Sequence, residues 1–127
     1  ELRKGKKIYF CDVGIRNAVL GDFRPLCLRN DTGALFENLV ATELKKAHEV
    51  RQDGTKLYFW RTAQQQEIDF VEETKGALRA LECKMTPKNV RASKTFTKAY
   101  PEAEFCLVTP KNILRIVSGR NGSIRES

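Results

Sequence analysis

The sequence predicts a mixed α/β domain in which a central mixed β-sheet is flanked by helices. Three observations lead there. Short runs rich in β-branched, aromatic and apolar residues recur at Lys56–Trp60, Glu67–Glu72, Ala77–Lys84 and Glu104–Val108. One longer segment, from Asp31 or Thr32 to about His48, instead spaces Leu35, Phe36, Leu39, Val40, Leu44 and Ala47 as a helix does. The two kinds of segment are interleaved, giving the order β-α-α-β-β-β-α-β-β.

The elements follow in order. Lys7–Cys11 reads as a first strand, and Ile15–Leu20 as a short helix that Asp12 can cap, with a catalytic role for Asp12 as the alternative. Residues 21–30, with Pro25, connect to the long helix, which Asp31 or Thr32 can cap. The polar turn Gln52–Thr55 precedes the strand at Lys56–Trp60. Lys75-Gly76 suits a two-residue hairpin loop, since Gly accepts positive φ readily. After the break at Met85–Lys88, a helix begins at Asn89 or Ser93 and stops near Tyr100, before Pro101. A strand at Glu104–Val108, a turn at Pro110-Lys111-Asn112 and a last strand at Ile113–Val117 complete the core. Residues 118–127 are expected to be a weakly ordered tail.

A chain of 127 residues fits a single domain, with a core expected over about 6–117. No apolar run approaches the roughly 18 residues that a membrane span needs. The four cysteines, Cys11, Cys27, Cys83 and Cys106, form no Cys-x-x-Cys pair, and His48 is the only histidine. Free thiols in a reducing cytoplasm are therefore expected, and zinc is not. The net charge of +7 favours an anionic partner, nucleic acid first. The alternative is a basic piece of a larger, more balanced protein. A start at Glu1 followed by a basic lead fits such a piece.

The chemistry concentrates in the predicted hairpin. Pairing Thr74 with Ala77 sets Asp69 opposite Glu82, with Cβ atoms about 4.5–5.5 Å apart. Lys84 leaves the same face as Glu82. Two like charges facing across a strand pair destabilise a sheet unless a cation lies between them, and a hard divalent metal is the natural one. The same register sets Glu67 opposite Lys84, either as an ion pair that positions the lysine or as a sheet-edge pair. On the long helix, Glu43 projects near the middle of the apolar stripe and Glu37 at its edge. Arg91, Lys94 and Lys98, at i, i+3 and i+7, make a basic ridge for phosphates or a solvated face. Trp60 reads as core before base-stacking platform, and Arg61 beside it could meet a phosphate.

Asp69, a hairpin, then Glu82-Cys83-Lys84 resembles the PD-(D/E)XK nuclease motif, with Ile68 where the motif's proline would stand. Four segments resemble one family in order: Tyr9-Phe10-Cys11-Asp12-Val13-Gly14-Ile15-Arg16-Asn17; Gly33 to Leu44 with Glu37-Asn38 and Glu43-Leu44; Tyr58-Phe59-Trp60-Arg61-Thr62 with Glu67-Ile68-Asp69-Phe70-Val71; and Leu81-Glu82-Cys83-Lys84. That family is the domain of unknown function 4143, found C-terminal to AAA-type ATPase modules in bacteria and archaea. The resemblance covers about residues 6–110.

It implies a restriction-endonuclease-like fold and a metal-dependent nuclease acting on DNA before RNA. The alternative is a non-catalytic nucleic-acid-binding or docking domain that regulates the attached ATPase. No Gly-x-x-x-x-Gly-Lys-Ser/Thr loop occurs, so the ATPase module is expected outside this sequence. The resemblance further implies Mg²⁺ or Mn²⁺ held by Asp69, Glu82 and the Cys83 carbonyl. Lys84 would act on water or phosphate, and Glu37 would reach in from the helix through a water. Glu43 is the alternative helix acid.

Overall fold

A computed structural model of the chain describes residues 2–3 (backbone only), 24, 31–86 and 91–118. Its elements are β1 (Leu2–Arg3), α1 (Thr32–Arg51), β2 (Lys56–Arg61), β3 (Glu67–Thr74), β4 (Ala77–Cys83), α2 (Lys94–Ala99), β5 (Glu104–Val108) and α3 (Ile113–Val117). The strands form one mixed sheet in the order β1-β2-β3-β4-β5. The first three pairings are antiparallel, and β4–β5 is parallel. Parallel neighbours need a crossover, and the segment carrying α2 supplies it. The expected mixed sheet with flanking helices is thus present.

The β3–β4 hairpin has the expected register, with Thr74 opposite Ala77 and Phe70 opposite Leu81. Its two loop residues, Lys75 and Gly76, both have positive φ, 51° and 84°. That pair of left-handed residues is the hairpin turn whose twist matches its strands.

Alternation along the strands makes two apolar faces. On one, Phe36, Val40, Ala41 and Leu44 of α1 pack against Phe70, Leu81, Cys106 and Val108, with Ile116 and Val117 of α3. On the other, Trp60, Ile68, Val71 and Ala80 pack against Phe96 of α2. Trp60 is core: its ring meets Phe96 edge-on, centroids 5.3 Å apart. Cys83 and Cys106 are in no disulfide, and Cys106 is fully buried.

Four expectations are corrected. Ile113–Val117 is a helix, because Ile113, Ile116 and Val117 repeat at helical spacing and the Asn112 carbonyl accepts the Ile116 N–H. Upstream, the Asn112 side chain accepts from Thr109 N–H and donates to Leu107 C=O, which turns the chain out of β5. The N-terminal lead contains a strand, β1. On α1 the row Phe36-Val40-Leu44 seats on the sheet, which leaves Leu39 exposed. Glu43 therefore lies off the buried stripe, paired with Lys46 at 3.6 Å. Finally, α2 starts at Lys94, capped by Ser93 Oγ on Thr95 N–H, so Arg91 precedes the helix and the ridge on it is Lys94 and Lys98 alone. The strand expected at 7–11, the helix at 15–20 with Asp12, most of the 21–30 connection, Cys11, Cys27 and the tail beyond Ser118 lie outside the described residues.

Candidate active site

Asp69 owes its position to an irregularity in β3. Tyr58 pairs with Val71, but Trp60 pairs with Ile68. Asp69 and Phe70 therefore share one partner position, Phe59, on β2. This is a β-bulge, which bends a strand and re-aims a side chain. Its consequence is visible in the core: Ile68 and Val71, three residues apart, belong to the same face.

At the bulge Asp69 also takes over a bond that the ladder would have made. Its Oδ2 accepts the Cys83 N–H at 2.8 Å. The next backbone N–H, that of Lys84, goes the other way, to Val108 C=O at 2.9 Å. The Asp69 carboxylate thus sits between the ends of β3 and β4, and it is only 7% exposed.

Two more acids meet it there. Glu37, from the first turns of α1, and Glu82, from β4, are both within hydrogen-bonding reach of Asp69. Burial pushes the Asp69 carboxyl up to about 6. Hydrogen bonding to Glu37 and to the Cys83 N–H favours the carboxylate, whereas Glu82 reinforces the rise through its hydrogen bond and its charge. Acids this close titrate as a coupled group, and either a proton or a cation would relieve their repulsion. Among the described residues, no three His, Cys, Asp or Glu side chains form a ready-made metal cage.

The structure therefore brings Asp69, Glu82 and Glu37 together. Lys84 follows the end of β4 and is half-buried. Glu67 bonds Arg61, not Lys84: Arg61 Nη2 and Nε lie 2.9 and 3.1 Å from Glu67 Oε2. Arg61 is thereby occupied, and it also lies over the Phe59 ring at 6.0 Å. Lys94, Lys98 and Arg91 are exposed on the side of α2. The β2–β3 loop is tied to that side by the Ser93 Oγ–Gln66 Oε1 bond of 2.7 Å.

The sequence reasoning missed the bulge, since a single extra residue leaves no signal in the apolar pattern. It also missed Glu72, a second buried carboxylate further along β3.

The chain belongs to the family described as Domain of unknown function (DUF4143), whose model matches residues 32–122. Neither the curated proteins nor the solved structures offer a match to it.

Proposed function

We propose that this chain is a metal-dependent nuclease domain of the PD-(D/E)XK kind, hydrolysing phosphodiester bonds of nucleic acid and normally attached to an AAA-type ATPase. The observation that carries this reading is the meeting of Asp69, Glu82 and Glu37 at the β3 bulge, with Lys84 two residues beyond Glu82. A pure binding surface has no need for three acids crowded together, whose mutual repulsion calls for a proton or a cation.

The donor set suits Mg²⁺ or Mn²⁺. Mg²⁺ takes one or two carboxylates and keeps several waters, so it does not require a three-residue cage. Asp69 and Glu82 would hold it, with the Cys83 carbonyl beside them. Bound there, the ion would supply charge neutralisation at phosphorus and a more acidic water. Glu37 would hold a water against Asp69, and Lys84 would place its ammonium on the phosphate oxygens or on the attacking water. The cytoplasm is the expected compartment for such an enzyme.

The alternative is a domain that keeps this fold to regulate its ATPase by binding nucleic acid or protein. The already paired Arg61 favours it, since one predicted phosphate contact is spent within the chain.

The test offers linear, nicked and branched DNA, and RNA, to this chain alone and to the longer protein with ATP, each with Mg²⁺ or Mn²⁺. Cleavage is expected, abolished in Asp69→Ala together with metal binding. In Lys84→Ala, turnover should be lost while metal binding stays. No cleavage of any substrate, or cleavage undiminished in Asp69→Ala, gives the regulatory reading its place.

A further inference from the structure

Glu72 is 4% exposed, and it is the meeting point of three elements. His48 Nε2 of α1 lies 2.5 Å from its Oε2. Arg79, directly across on β4, bonds its Oε1 through Nε at 2.6 Å and through Nη2 as well. Arg51, also of α1, stands 3.7 Å from Oε2 and reaches the Val117 carbonyl of α3 at 3.4 Å. Asp53 neutralises Arg51 from outside, at 3.5 Å. Helix α1 and strand β4 thus supply the imidazole and guanidinium groups around Glu72, and the buried Cys106 thiol of β5 also senses its charge.

The position of this cluster matters for the acids. Glu37 and His48 are eleven residues apart, which is close to three full turns, so they share one face of α1 about 16 Å apart. The same strand, β3, receives both: Asp69 meets Glu37, and Glu72 meets His48. Helix α1 is thus pinned to β3 at two points. One is acid against acid. The other is a carboxylate among cationic groups.

Between the pins, contact is mainly apolar, with Asn38 the buried polar residue among it. Phe36, Val40, Ala41 and Leu44 hold α1 down on the sheet, but non-directional packing sets its axial register and rotation loosely. Buried ionic clusters are best attested as devices that set register. We infer that the His48–Glu72–Arg79 cluster is the positioning device of the candidate active site: it sets the register of α1 so that Glu37 meets Asp69. This rests on the site assignment made above, and it adds three positioning residues that do not touch the acids.

The test compares His48→Ala with His48→Gln, whose amide can still donate to Glu72, and with Glu43→Ala as a control on the same helix. The decisive readout is hydrogen exchange of the Cys83 amide, which reports where the Asp69 carboxylate sits, measured relative to Val71 and Ala80 in the same hairpin. Mn²⁺ affinity is measured in parallel. His48→Ala should speed Cys83 exchange at least several-fold relative to those references and weaken Mn²⁺ about tenfold. His48→Gln should restore both, and Glu43→Ala should change neither.

Unchanged relative exchange at Cys83 in a folded His48→Ala chain overturns the inference. So does a failure of His48→Gln to restore it. Should His48→Ala not fold, Arg51→Ala, which removes the more solvated member, must show the same change in smaller measure. A parent chain that takes up no Mn²⁺ while Cys83 exchange responds as stated sinks the metal reading and leaves the positioning role standing.

Discussion

Asp69 and Glu72 stand three residues apart on one strand, both nearly buried, and their protons are pushed in opposite directions. For Asp69 burial dominates and Glu82 adds to it, so its carboxyl is pushed up to about 6. For Glu72 burial also acts upward, but the His48 hydrogen bond and the Arg79 charge outweigh it, and the carboxyl falls below its ordinary value. The two acids therefore contribute to stability with opposite signs. The folded chain holds the Asp69 proton more tightly than the unfolded chain, so that contribution is complete below about pH 4 and is lost as pH rises through 6. The contribution of Glu72 is present at neutral pH and is lost in acid, as pH falls through its lowered folded value. Asp69→Asn, locked in the neutral form, is accordingly expected to stabilise the metal-free chain at pH 7–8 by about 1–3 kcal/mol, checked by urea unfolding. It should also abolish the stabilisation that millimolar Mn²⁺ gives the parent. Uptake of Mn²⁺ should strengthen as pH rises from 5 to 7, because the ion competes with the proton for the same oxygens. A metal affinity flat across that range would contradict the role given to Asp69.

At the scale of elements, the turns carry the clearest local chemistry. The β2–β3 loop closes through Thr62 N–H to Gln66 C=O at 2.8 Å and Gln65 N–H to Thr62 C=O at 3.0 Å. Gln65 then takes the left-handed conformation, φ 64°, where glycine is the usual residue. Gln65→Gly is expected to raise stability by about 0.5–1 kcal/mol, read as a rise of a few degrees in Tm. Lys75→Asn at the first left-handed position of the β3–β4 turn should act in the same direction. This hairpin was legible in the sequence because Lys75-Gly76 fixes both its length and its register, and the register brings Asp69 and Glu82 to neighbouring ends of strands. The α3 segment misled because Ile113, Ile116 and Val117 carry β propensity, while the deciding signal was the Asn112 side chain bonding two backbone groups of the preceding turn. The Glu72 cluster could not be read at all: His48, Arg51 and Arg79 come from two other elements, and only their packing shows that one carboxylate gathers them. Leu44, with no exposure at the centre of the α1–sheet contact, is the element's apolar anchor. Leu44→Ala should cost about 2–5 kcal/mol in thermal or urea unfolding.

At the scale of the whole molecule, the net charge of +7 has a geometry. The acids gather where β3 begins and β4 ends. The same end carries Lys84 and the β2–β3 loop, which Ser93 ties to the start of α2. From there Lys94 and Lys98 face solvent one turn apart. Lys75, at the tip of the β3–β4 turn, lies six residues along β3 from Asp69, about 20 Å away. Lys45 is exposed on α1, across the sheet from α2. A polyanion that runs from the acids along the β2–β3 loop to α2 would meet Lys94 and Lys98 and miss the other two. Each phosphate neutralised releases a condensed counterion and steepens the dependence of affinity on salt by a little under one unit of slope for duplex DNA. Reversing Lys94 and Lys98 to Glu should therefore reduce that slope by about two and weaken binding at least tenfold at low salt. The matched reversal of Lys45 and Lys75 changes net charge equally and should leave the slope nearly unaltered. Titrating a labelled duplex and a labelled single strand at several salt concentrations separates the cases. Equal losses from both pairs of reversals would mean that the chain attracts nucleic acid through its overall charge, with no track past α2 to the acids.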